Sequence, residues 1–160
     1  MTFGDDRDYM WEGYFAGLTE PRHKQAVEYL RTLPIEVIAF DDVARSKQIV
    51  DQQVKELKAA GAEALFVHLP CWATPNIVVR AVQSMSLPTV TMTSKSAATH
   101  GMVGLFAAAG TLSQIGIDHI RVRDDFGASV FEDRLLPYFR AASARARLRG
   151  RVMGLYGGRS

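Results

Sequence analysis

The sequence predicts a three-layer α/β/α sandwich built around a mostly parallel sheet. Short apolar runs alternate along the chain with longer segments whose apolar residues recur at helical spacing, the pattern of successive βαβ units. The run at 64–69 is almost uninterrupted in apolar side chains, as a strand covered on both faces requires. Glycine or proline stands at the junctions, as at Pro34, Gly61, Pro70, Pro88 and Gly116.

In chain order, residues 1–3 read as the tail of a first strand, shorter than the roughly five residues usual in a sheet, and residues 4–8 as a polar turn. Segment 9–18 is aromatic-rich, with Trp11, Tyr14 and Phe15 spaced like a helix face. Thr19-Glu20-Pro21 restarts a helix that buries Ala26, Val27, Leu30 and Leu33 before Pro34 ends it. A second strand is predicted at 35–40, closed by Asp41-Asp42. The helix at 45–60 carries Ile49, Val50, Val54 and Leu57 on one side and stops at Gly61.

The third strand, 64–69, halts at Pro70. Thr74-Pro75 opens the next helix, with Thr as N-cap acceptor and Pro preset for the first turn. That helix, 74–85, holds Ile77, Val78, Ala81, Val82 and Met85, and Pro88 opens strand four at 89–93. Helix 102–115 is apolar on nearly every face, so it is expected to be buried all round or to face another subunit. Strand five follows Gly116 at about 119–123. A last helix spans about 129–148 with Pro137 as a kink, and 151–156 reads as one more strand.

At 160 residues the chain fits one domain able to bury a core. An apolar content of 48%, a charged content of 22% and a net charge of +2 argue for neither a nucleic-acid partner nor a membrane surface. No apolar run reaches the ~20 residues of a bilayer span. The single Cys71 cannot pair within the chain, and the acidic start MTFGDDRD is no signal peptide, so the expected compartment is the cytoplasm. No Cys or His pair has zinc spacing, and no GxxxxGK[ST] or GxGxxG follows the first strand.

Ligands of open α/β sheets bind at the carboxyl edge. The loops expected there, 5–8, 70–73, 94–100 and 124–127, bring Arg7, Trp72, Lys95, His100 and two acidic pairs to one edge, a polar, aromatic-lined concavity suited to a small hydroxylated ligand. Each residue has a plainer reading. Trp72 caps the sheet end or stacks on a ligand, with equal weight. Arg7, between Asp6 and Asp8, fits a solvated charge cluster, and His100 before Gly101 fits a helix cap. His68, inside an apolar strand, fits a hydrogen-bonded core position, and Cys71 has no partner pattern for a nucleophile. The five arginines between 140 and 151 fit a solvated or subunit-facing helix.

FGDDRD after the first strand, PCW after a middle strand and LYGGRS at the end of a later one resemble the L-fucose isomerase and L-arabinose isomerase family, nearest its fucose branch. The similarity extends through the SQIGI helix end and the LLPYFRAA helix and covers essentially the whole chain. It implies a flavodoxin-like (Rossmann-like) N-terminal domain over 1–148, with 149–160 as the first strand of a following domain. It further implies an aldose–ketose isomerase of the L-fucose/D-arabinose or L-arabinose type, using Mn2+ or a similar divalent ion in a homo-oligomer with sites between subunits.

In that family, acidic residues and a His of later domains hold the metal, while the first domain of a neighbouring subunit lends an Arg and a Trp to the sugar. By motif these are Arg7 and Trp72, with Lys95 and His100 as further pocket candidates, and no catalytic or metal-binding residue is expected in this chain. The chain departs from the fucose branch at Asp8, where a second Arg is usual, and at residues 73–76, where a polar run with an acidic residue is usual. The competing expectations are a free-standing sugar-binding module and an assembly domain joined through helix 102–115.

Overall fold

A computed structural model describes residues 1–96, 100–152, 154, 156 and 157 of the chain. Its centre is a parallel sheet of β1 (Leu65–His68), β2 (Thr89–Thr93) and β3 (Ile120–Arg123). Leu65 lies beside Thr89, and Val90 beside Ile120. The first residues extend the sheet by single-residue parallel bridges, Thr2 to His68 and Phe3 to Ala44. The helices are α1 (Asp8–Met10), α2 (Ala16–Thr32), α3 (Lys47–Ala59), α4 (Pro75–Met85), α5 (Gly101–Gln114) and α6 (Leu136–Leu148).

Strand alternation sorts the core into two layers. Leu65, Val67 and Leu69 face α3, α4 and α5, meeting Val50, Val54, Ile77, Val78, Leu105 and Leu112. On the opposite face Val90, Met92 and Val122 meet Leu30 of α2 with Phe131 and Leu135, and Phe66 packs against this layer. The sandwich expected from the sequence is therefore present, and the strand at 89–93 has the expected bounds.

Several elements differ from expectation. Residues 35–40 form no strand, and Ala44 makes the contact with the first strand instead. The register gives the reason. Phe3 lies opposite Ala44, so the first strand runs beside the residues just before Ala44, and 35–40 pair with no strand among the described residues.

The aromatic segment does not break before Pro21. A π-turn at Trp11–Phe15 leads directly into α2, which runs through that proline. Another π-turn at Phe131–Leu135 precedes α6 and places Pro137 in the first turn of that helix rather than at a mid-helix kink. Ser46, not singled out from the sequence, caps α3 by accepting a hydrogen bond from the Ile49 N–H at 3.2 Å. Thr74 precedes α4 without capping it.

Helix α5 is not covered all round in the single chain: Val103 and Phe106 are 51% and 60% exposed. Gly101, Gly104, Leu105, Ala108 and Leu112 form the buried side of the helix, while Val103 and Phe106 point away. The strand expected at 151–156 falls partly on Met153 and Leu155, outside the described residues; Arg151, Val152, Gly154 and Tyr156 belong to no strand.

Candidate functional site

The first loop is built inward from Asp5. Its carboxylate is fully buried and accepts three hydrogen bonds from Arg7: from the backbone N–H at 2.9 Å, Nε at 2.9 Å and Nη2 at 2.6 Å. The fork geometry matches a planar guanidinium to a carboxylate. Burial alone would raise the Asp5 carboxyl, but the Arg7 hydrogen bonds and the charges of Arg7 and Arg45 outweigh it, leaving it below its ordinary value. The bond to Asp5 in turn raises Arg7, which stays charged. Arg7 is 47% exposed and its guanidinium carbon lies 5.9 Å from the centre of the Tyr9 ring.

The neighbouring acids do other work. Asp8 accepts from Arg45 Nη2 at 2.7 Å, and Arg45 lies over the Trp11 ring at 4.5 Å. Asp6 accepts a 2.6 Å bond from the Thr74 hydroxyl, two residues beyond Trp72. That bond explains why Thr74 is no N-cap and fastens the Arg7 loop to the Trp72 turn. Arg7 is thus not a member of a solvated cluster with Asp6 and Asp8; its partner is the buried Asp5.

Trp72 is half-buried against a cluster of Trp11, Phe15, Val43 and Cys71. The turn it occupies rests on α5. A side-chain carbon added at Gly104 would meet the Cys71 carbonyl at 2.9 Å, and one at Gly101 the Leu69 carbonyl at 2.6 Å. These two glycines let helix and turn share backbone contact. Gly104→Ala should therefore push the Trp72 turn off α5 and cost about 1–3 kcal/mol in urea unfolding, as overpacking does. Unchanged stability and an unchanged Trp72 environment by NMR would show that the turn yields freely.

His100 lies just before α5 with φ of +55°, and its backbone bridges Cys71 in antiparallel sense. It occupies the cap position without a side-chain cap bond, and its ring lies 6.2 Å from Phe15 and 6.4 Å from Tyr14. Lys95 is drawn to the far side of the sheet, where its Nζ pairs with Asp124 at 2.6 Å and its N–H donates to Asp125. At the carboxyl edge the Asp6–Thr74 bond ties the loop of Arg7 to the turn of Trp72, His100 bridges Cys71 in that turn, and Lys95 lies near β3. Two cavities, of about 750 and 640 Å3, include none of the four in their walls.

Cys71 is buried, its thiol donates to the Trp72 carbonyl at 3.2 Å, and burial pushes its pKa up, which suits packing rather than attack. His68 is a core histidine as expected, bonded to the Thr2 hydroxyl at 3.3 Å. Sequence reasoning passed over Asp5, Thr74 as a tether, and the two glycines. Only the acidic flank of Arg7 signalled any of them, and it pointed to the wrong aspartates.

A sequence model described as L-fucose isomerase, first N-terminal domain, matches residues 18–150. The chain belongs to that family. Neither a curated protein nor a solved structure matches it significantly. The match starts after Arg7 and spans Trp72, Lys95 and His100. Among the described residues of this fucose isomerase-type domain, no three His, Cys, Asp or Glu side chains come together as a metal site, so the manganese implied by the resemblance has no ligand set among them. No helix among them is long and apolar enough to cross a membrane.

Proposed function

We propose that this chain is the first domain of a divalent-metal-dependent aldose–ketose isomerase, of L-fucose/D-arabinose or L-arabinose type, and lends Arg7 and Trp72 to a sugar site completed by a neighbouring subunit. The observation that carries the reading is the Asp6–Thr74 hydrogen bond, which holds the Arg7 loop beside the Trp72 turn. Asp5 anchors the half-exposed Arg7 guanidinium, a group whose N–H fork suits the hydroxyls of a sugar. An indole at the same edge suits the apolar C–H face of a sugar. The metal ligands and the proton-transferring groups belong to other parts of the enzyme, and the chain by itself is inactive.

The test uses the enzyme that carries this domain. Trp72→Phe, which keeps most of the packing, and Trp72→Ala should lower kcat/KM for the sugar, the second by about tenfold or more, equivalent to ~1.4 kcal/mol. Equal kcat/KM in wild type and Trp72→Ala would remove Trp72 from the site. Aldose–ketose interconversion by the pure 160-residue chain with Mn2+ would overturn the division of labour. The exposed Val103 and Phe106 favour a contact between copies on α5, consistent with a homo-oligomer, and Phe106→Glu should weaken self-association in sedimentation.

A further inference from the structure

Tyr9 is 70% exposed, so burial gives no reason for an aromatic residue at this position. The backbone that carries it is nevertheless fixed on both sides. Asp8 is tied to Arg45 at 2.7 Å, and Trp11 is set in the core with the Arg45 guanidinium over its ring. The N–H groups of Met10 and Trp11 both donate to the Arg7 carbonyl, at 3.1 and 2.9 Å, so α1 closes its turn on Arg7 itself. Within that turn the Arg7 guanidinium carbon lies over the Tyr9 ring, 5.9 Å from its centre.

Arg7 is therefore held by two different kinds of contact. Asp5 grips the guanidinium along one edge, through Nε and Nη2. A carboxylate fork fixes that edge of a planar group but lets the plane tilt about it. The ring adds an attraction between its face and the cation. The Asp5 bond leads in keeping Arg7 charged, and the Tyr9 phenol adds to it.

We propose that Tyr9 is a positioning residue for Arg7, its ring limiting the tilt of the guanidinium about the Asp5 fork and holding it in the orientation that meets the sugar. The inference rests on the proposed place of Arg7 in a sugar site. A long side chain loses rotamer freedom when a ligand fixes it, and a contact made before binding removes part of that loss from the binding step. An exposed cation–π contact corresponds to about two- to fivefold in an equilibrium.

The experiment reads Arg7 first without a sugar and then with one. In the 160-residue chain, NMR relaxation of the Arg7 Nε–H reports its order directly. Tyr9→Ala should lower that order and shift the resonance while leaving the thermal midpoint unchanged, as suits an exposed side chain. In the enzyme that carries this domain, Tyr9→Ala should lower kcat/KM about two- to fivefold, chiefly through KM. Tyr9→Phe, which keeps the ring, should recover most of the loss. In an Arg7→Lys background Tyr9→Ala should add nothing, because an ammonium has no plane to orient.

Equal kcat/KM in wild type and Arg7→Lys would remove Arg7 from the site, and the proposal with it. A loss from Arg7→Lys with none from Tyr9→Ala would leave the sugar site standing and overturn the role of Tyr9 alone. So would an unchanged Arg7 Nε–H in Tyr9→Ala. The same loss from Tyr9→Ala in both backgrounds, or a lowered thermal midpoint, would make Tyr9 a structural residue and overturn the proposal as well.

Discussion

Acidifying the chain from pH 8 to pH 4 should remove most of its stability, and the loss should begin well above the range in which its carboxylates protonate. Two buried cationic groups are responsible. Burial lowers the Met1 amino group from its ordinary 8.0 to about 5. It also lowers His68 from 6.5 to about 3, helped by the charges of the Met1 amino group and His23. His23, hydrogen-bonded between Thr2 and the Phe40 carbonyl, is lowered as well, again chiefly by burial.

A depressed cation binds fewer protons folded than unfolded, so the stability of the neutral form is fully present above the unfolded pKa and declines below it. The amino group weakens the fold from pH 8 to 5, and His68 from pH 6.5 to 3. At about 1.4 kcal/mol per tenfold change, drops of this size are worth ~4 and ~5 kcal/mol, against a usual total of about 5–15 kcal/mol. Urea midpoints across this range, with NMR titration of His68, provide the check. A flat profile from pH 8 to 4, or His68 titrating near 6.5, would contradict the burial seen here.

Arg7→Ala should destabilise the domain by about 2–4 kcal/mol, although Arg7 is itself half-exposed. The cost falls on Asp5, whose fully buried carboxylate would lose its side-chain donors, and a buried charge without its partner is costly. On sequence alone Arg7→Ala is a harmless control for a sugar-site test; the structure makes it a stability mutant. Asp5→Ala in the Arg7→Ala background should recover part of the loss, since both charges are then gone. Additive losses in the double mutant would show that the pair is not coupled.

The pair also sets a pH signature opposite in sense to a raised acid. With Asp5 held below its ordinary value, its contribution is complete above about pH 4 and disappears as pH falls through the lowered value. A ligand experiment on Arg7 is therefore cleaner with Arg7→Lys, which keeps a cation beside Asp5 but loses the fork.

The sequence by itself determined the layer architecture, most element positions and the edge at which to look. Period-two and helical spacing of apolar residues depend on which face of an element is covered, and that information is local. Thr89–Thr93 and the 74–85 helix were legible for this reason, as was the burial of His68.

What the tertiary structure decided depended on partners distant in sequence. Residues 35–40 have a strand's composition and even its alternation, but a strand exists only with a neighbour, and none among the described residues pairs with them. Nothing within FGDDRD distinguishes Asp5 from Asp6 and Asp8. The fold turned the first inward to Arg7 and gave the second to Thr74, 68 positions along the chain, and the third to Arg45. The glycines of α5 read as mere apolar filler until the Cys71 carbonyl was found against Gly104. Burial of a charge and contact between backbones are properties of the packed whole, so no local pattern encodes them.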